Sequence, residues 1–138
     1  MALVVAVGAV TSLFCAHEPR ADGRNYIRVE TDREVYAVGQ PVKVTPVLLN
    51  QSGDSVTYTM AYVVKIFDAE ETLILEREMV VYGKITIPPH SEGRLDEFTW
   101  DQRDKEGDQV SNGRYRILIR LFEYRYRDIG GHKWIAVR

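Results

Sequence analysis

Arg114-Tyr115-Arg116-Ile117-Leu118-Ile119-Arg120-Leu121 is the stretch on which the fold turns. Tyr115, Ile117, Ile119 and Leu121 fall on one side of an extended chain, and Arg114, Arg116 and Arg120 on the other. A period of two with an aromatic and aliphatic inner set specifies a strand with one face buried and one in water. The pattern runs on to Arg127, so this is the longest expected strand. Past Leu121 the parity reverses, with Tyr124 and Tyr126 alternating with Arg125 and Arg127. A bulge or crossing near Phe122 or Glu123 would keep both apolar sets inward. Gly130-Gly131 is expected to turn the chain into a last strand, His132 to Val137.

Upstream, the chain reads as short strands separated by turn chemistry. Tyr26 to Glu30 is the first, followed by a turn through Tyr36-Ala37-Val38-Gly39-Gln40-Pro41. Val42 to Leu49 is the second; its Pro46 implies an edge position or a bulge, after which the apolar phase shifts. Asn50 to Asp54 is a loop, and Val56 to Tyr62 and Val63 to Asp68 make one or two strands. Glu70-Glu71 sits at a hairpin tip before Thr72 to Glu78. Val80 to Ile87 follows, closed by Pro88-Pro89-His90-Ser91 as an extended turn. In Leu95 to Trp100, Phe98 and Trp100 share one face, and Glu97, Thr99 and Asp101 the other. Strands with turns at this spacing predict an all-β chain, an antiparallel immunoglobulin-like β-sandwich of about 7–9 strands. The Cys…Trp…Cys pattern of antibody domains is missing.

Composition agrees. Val, Ile and Thr number 17, 9 and 8 with 8 Tyr, against 9 Ala and 9 Leu, a bias toward strands. With 138 residues, 45% hydrophobic and 28% charged, one ordinary domain with a real core is expected, and disorder is excluded. A single Cys excludes an internal disulfide framework and a Cys-based zinc site. Net charge is -2, so no global field recruits nucleic acid or an acidic membrane. Residues 25–113 hold 9 basic and 16 acidic side chains, and residues 114–138 hold 7 and 2. Oppositely charged outer strand faces are the plain reading of that asymmetry.

Ala2 to Ala16 carries no charge. It is too short for the roughly 20 residues of a membrane-spanning helix and suits the core of a secretory signal peptide. Ser12-Leu13-Phe14-Cys15 loosely resembles a bacterial lipoprotein box, with Phe14 where a small residue normally sits. The polar stretch His17 to Arg24 ends the run abruptly, which favours export over a buried element of the domain. The expected organisation is a signal or anchor segment with linker at 1–24 and a β-sandwich at 25–138. The expected location is extracytoplasmic, or cytoplasmic if the apolar run is not a signal.

Phe98-Thr99-Trp100-Asp101-Gln102, then Gly107, then Val110-Ser111-Asn112-Gly113-Arg114-Tyr115, resembles the signature of the BsuPI family, the intracellular proteinase inhibitor domain. Glu34-Val35-Tyr36 with Gly39-Gln40-Pro41-Val42, and Leu49-Asn50-Gln51-Ser52, are similar to the family's opening strands and turn. The resemblance covers about 25–138. Ser111-Asn112 stand where the family usually has prolines. A similar pattern occurs in the immunoglobulin-like domain of flagellar hook-capping proteins, so the motif specifies a hairpin better than a function. Phe98, Trp100, Gln102, Gly107, Val110, Gly113 and Tyr115 are read as mainly structural: core area, a tight turn and its return.

Enzyme signatures are absent. His17, His90 and His132 stand far apart and outside any ligand motif, and no nucleophile elbow, P-loop or dinucleotide fingerprint occurs. Cys15 lies in the expected signal. Asp101, Asp104 and Asp108 are spaced i, i+3, i+7, unlike a calcium loop, and read as a solvated acidic hairpin. Arg114, Arg116, Arg120, Arg125 and Arg127, interleaved with aromatics, have the look of a single-strand nucleic-acid face but equally of an ordinary outer strand face. Trp134 is the one handle for carbohydrate. The expectation is a non-catalytic domain without cofactor, metal or nucleic acid, whose resemblance implies inhibition of a subtilisin-like serine protease by protein–protein binding. Its expected contacts are Pro88, Pro89, His90 and Ser91, and Ser111, Asn112 and Gly113. The alternative is a structural or adhesion module of the envelope.

Overall fold

The computed structural model describes residues 25–121 and 129–138. The expected signal segment with His17 and Cys15 lies outside the described residues, as does the expected crossing near Phe122 and Glu123 with Tyr124, Arg125, Tyr126 and Arg127. Every described element is a strand: β1 (Asn25–Thr31), β2 (Val35–Tyr36), β3 (Val42–Asn50), β4 (Val56–Thr59), β5 (Tyr62–Asp68), β6 (Leu73–Met79), β7 (Lys84–Ile87), β8 (Ser91–Arg94), β9 (Phe98–Trp100), β10 (Gly113–Leu121) and β11 (Gly130–Val137). One sheet is built on β3, with β1 along one edge and β8 then β9 along the other. The second runs β2-β11-β10-β5-β6, and β4 pairs with β7 as a two-stranded ribbon. All pairs are antiparallel except β2 with β11.

The expected parity of the long strand is what closes the core. Tyr115, Ile117, Ile119 and Leu121 are buried, as are Tyr62, Val64 and Ile66 of β5 and Ile135 and Val137 of β11. They meet Ile27, Val29, Val44, Leu48, Phe98 and Trp100 of the other sheet in one cluster. The chain is stitched where it passes between sheets at β2. The Tyr36 hydroxyl donates to Asp32 Oδ1 at 2.6 Å, and the same oxygen accepts the Lys43 N–H. Burial, then the Asp32 bond, pushes the Tyr36 phenol up to about 12, and that bond holds the Asp32 carboxyl below its ordinary range.

Four expectations change. Among the described residues eleven strands replace about seven to nine, because β2 forms where a turn is expected from Tyr36 and β8 forms at Ser91–Arg94, outside the expected strands. Pro46 sits in a strand paired on both sides, and the register with β1 runs unbroken from Asn25↔Asn50 to Thr31↔Val44. The irregularity lies on the other side. Val47 pairs with Arg94 and Val44 with Phe98, so residues 95–97 oppose only residues 45 and 46. Backbone N and C=O of one strand residue point to the same side. Leu95 N–H donates to the Pro46 carbonyl at 2.9 Å, so the donor that proline lacks faces this bulge and takes no bond from the β1 ladder.

Val80 to Ile87 is not one strand. Lys84–Ile87 pairs with β4, whereas residues 80–83 are an irregular connection from the five-stranded sheet to the ribbon. Gly130-Gly131 is no turn; both glycines lie in β11, paired with Arg120 and Ile119.

Candidate functional site

The motif from Phe98 to Tyr115 folds into a cross-braced loop at one end of the sandwich. Trp100 and Tyr115 meet edge to face with ring centroids 5.6 Å apart, and Trp100 Nε1 donates to the Arg103 carbonyl. Asp104 closes the tight turn: its Oδ1 accepts the Glu106 and Asp108 N–H groups, while Gly107 takes φ +87°. The Val110 N–H returns to the Gln102 carbonyl, and the Tyr115 hydroxyl donates to the Ser111 carbonyl at 2.6 Å. Gln102 is fully buried and left-handed at φ +63°. Its Nε2 donates to the Ala37 and Gln40 carbonyls, and its Oε1 accepts from the Gly39 N–H and Gln109 Nε2. One side chain thereby ties the β2–β3 turn to the motif loop. Ser111, Asn112 and Gly113 are exposed and form a ridge between two open clefts of about 420 and 400 Å³.

The other expected contact segment lies at the opposite end. Ser91 pairs with Asn50 at one end of β3, while Trp100, next to Tyr115, pairs with Val42 at the other. Eight residue steps at about 3.3 Å separate those ends by roughly 26 Å. The structure therefore does not bring Pro88–Ser91 and Ser111–Gly113 together; they are two separate surfaces.

Pro88, Pro89 and His90 are exposed, with His90 at φ +53° and the Ser91 hydroxyl donating to the Pro89 carbonyl. The turn is held from beneath by Asn50, which has no solvent exposure. Asn50 Nδ2 donates to the carbonyls of Ile87, Pro88 and Asp54, and its Oδ1 accepts the Ser52 N–H and hydroxyl. Replacing Asn50 by alanine removes these bonds to the turn and to the Ser52 N–H, although the Asp54 carbonyl keeps the Ser52 hydroxyl, and about 2–4 kcal/mol of stability is expected to be lost. Asn50→Asp keeps the Ser52 bonds but sets a carboxylate against carbonyls, so urea unfolding at neutral pH should rank it at or below the alanine variant.

A third exposed segment, missed in the strand reading of residues 80–87, stands across β7 from the Pro88 turn, at the other end of that strand. Met79 pairs with Tyr62 and Lys84 with Thr59, so residues 80–83 are anchored on both sides. Tyr82 is 93% exposed and Val80 53%, and Gly83 takes φ +119° while its carbonyl accepts the Met60 N–H. The signal that could have found it is Gly83, a breaker inside an apparent strand.

The outer sheet faces are largely self-occupied. Arg28, Glu30, Glu92 and Arg94 form one ion-pair network across the β3 sheet. The Arg114 guanidinium covers the Trp134 ring at 4.5 Å and Arg116 that of Phe67 at 4.7 Å, and Arg116 also pairs with Glu71. The Trp134 and Phe67 rings thus each carry an arginine, whereas Tyr26 and Tyr82 are exposed and the aromatics Phe122, Tyr124 and Tyr126 lie outside the described residues. Among the described residues no group of three or more His, Cys, Asp or Glu side chains could hold a metal, and no helix is long and apolar enough to cross a membrane.

Fold and surface together define a β-sandwich domain with exposed, internally braced loops at both ends. No family model and no curated protein matches the chain. Among solved structures it is similar to part of a Paenibacillus cycloisomaltooligosaccharide glucanotransferase, with TM-score 0.55 and 21% identity over 80% of this chain and 13% of that one. It is similar also to the Pseudomonas fluorescens alkylpurine DNA glycosylase AlkC, with TM-score 0.53 and 10% identity over 83% of this chain and 30% of that one. The Bacillus subtilis sporulation control protein Spo0M aligns with TM-score 0.51 and 14% identity, over 84% of this chain and 50% of that one. The chain thus spans half or less of each, and what they share with it is the fold.

Proposed function

We propose that the chain is a non-catalytic domain of the BsuPI type that inhibits a subtilisin-like serine protease by protein–protein binding outside the cytoplasm. One observation carries the reading: the exposed Pro88–His90 turn is braced by a fully buried Asn50 bonded to the Ile87 and Pro88 carbonyls. A contact segment already ordered in the free domain loses little conformational freedom on binding, which is how a small rigid protein holds a surface tightly against a protease. The motif resemblance over residues 25–138 supports the same assignment.

The test is a stoichiometric titration of the purified chain against subtilisin-like, chymotrypsin-like and trypsin-like serine proteases. Inhibition saturating near one chain per protease, with the chain recovered uncleaved, is the expected result. Full protease activity in the presence of intact chain would reject the reading. It would leave the envelope module, which one feature favours: β6 ends the five-stranded sheet. Among the described residues the Lys105 N–H to its Ile74 carbonyl is the one backbone bond made to that edge from outside the sheet, which leaves the edge for strand addition.

A further inference from the structure

We infer that Tyr82 is the side chain that enters the protease's primary specificity pocket, and that the target is therefore a serine protease with a deep apolar pocket rather than one selecting basic residues. The inference rests on the inhibitor reading and names the contact within it. A protease cleft takes an extended segment, pairing with its backbone and accepting one dominant side chain. The three exposed segments differ sharply by that standard. Pro88-Pro89-His90 is a compact turn in which two residues carry no N–H to offer. Ser111-Asn112-Gly113 has no large side chain and stands at the other end of the sandwich.

Residues 80–82 are irregular and outside any ladder, yet are tied at both ends by strand pairing and behind by the Met60–Gly83 hydrogen bond. Tyr82 projects almost wholly into water at 93% exposure, behind Val80 at 53%. These are two of the few large apolar side chains the described surface leaves exposed, and they are two residues apart. No basic residue lies between Met79 and Lys84, and Lys84 itself is in the β7 ladder. The chemistry on offer is a phenol ring preceded by aliphatic residues, which fits an apolar pocket.

Position agrees with the braced turn. Tyr82 and Pro88 flank β7, six residues apart, or about 20 Å along an extended chain. A standard interface of about 800 Å² per partner is roughly 32 Å across, so Tyr82 as anchor and the Pro88–His90 turn as a flanking contact fit within one interface, with Tyr82 off its centre.

The experiment compares inhibition constants of the purified chain and its variants against subtilisin, chymotrypsin and trypsin. Wild type should inhibit the first two at least about 100-fold more tightly than trypsin, and Tyr82→Gly should weaken that inhibition by about 100-fold, the loss of one anchor. Tyr82→Leu should retain inhibition within about tenfold, and Tyr82→Lys should move it toward trypsin. Because Tyr82 is exposed, the thermal midpoints should match, so a loss of inhibition cannot be unfolding. Wild-type inhibition that Tyr82→Gly leaves unchanged would overturn the role of Tyr82 and leave the inhibitor reading standing. Inhibition stronger on trypsin than on the other two would do the same. Intact wild type that inhibits none of the three would overturn both.

Discussion

Gln102→Ala should destabilise the domain by about 3 kcal/mol, a large share of the roughly 5–15 kcal/mol that holds a domain of this size folded. The amide is fully buried and uses every hydrogen-bonding position it has. Alanine removes four bonds and leaves the Gln40 carbonyl and the Gly39 N–H without their partner, while the Ala37 carbonyl keeps the Gln40 N–H. The neighbouring loop residues are partly exposed, so water recovers some of the loss, which is why the figure is not larger. Two further variants separate hydrogen bonding from backbone strain. Gln102→Gly loses the same bonds but accepts φ +63° freely, and should be more stable than the alanine variant by about 1 kcal/mol.

Gln102→Glu would place a carboxylate against two carbonyl oxygens, which raises its folded-state pKa above the ordinary value of about 4.3. For an acid with a raised folded pKa, stability falls as pH climbs past the unfolded pKa. The defect should therefore be smaller at pH 4 than at pH 7. Urea midpoints at the two pH values measure this directly. Equal stability of wild type and Gln102→Ala would mean that the two loops are not held together by this side chain.

What the linear sequence disclosed about this domain follows physical lines. Alternation disclosed the inner faces, because burial on a pleated strand has a period of two and needs no partner to be identified. Tyr115 to Leu121, and Phe98 with Trp100, could be oriented before their neighbours were known. Gln102 could not be placed in the same way: a neutral amide argues for exposure, and its burial is set by carbonyls more than sixty residues away. Pro46 was legible as a ladder defect, but not as one facing the β8–β9 break in a central strand, since that depends on which edge pairs with which partner. Tyr82 was hidden by its own apolarity. Val80, Val81, Tyr82, Ile85 and Ile87 form a continuous β-rich run, and only sheet topology shows that the chain leaves one sheet at Met79 and joins another at Lys84. Of the two expected contact turns, each is an exposed reversal, but their location at opposite ends came from registers that a sequence does not carry.

Gly131 carries the second large effect, and its logic is steric rather than conformational. A Cβ built there would stand 1.9 Å from the Ile27 carbonyl oxygen and 2.9 Å from its carbon. Both are backbone atoms, so no rotamer change can relieve the clash; β1 and β11 would have to separate. Those strands belong to different sheets, and Ile27 sits in the core beside them, so separation also opens packed apolar surface. Overpacking typically costs about 1–3 kcal/mol, and a contact that only backbone movement can relieve belongs at the upper end, about 3 kcal/mol. The thermal midpoint of Gly131→Ala should fall by about 10 °C or more. Gly53 supplies the control, since its Cβ would meet nothing within 4 Å and its backbone takes no left-handed φ. Gly53→Ala should leave the midpoint unchanged or raise it slightly, by removing freedom from the unfolded chain. The pair distinguishes a crossing that must be bare from a loop that merely happens to be glycine. If Gly131→Ala unfolds at the wild-type temperature, the two sheets do not approach as closely at this corner as the structure places them.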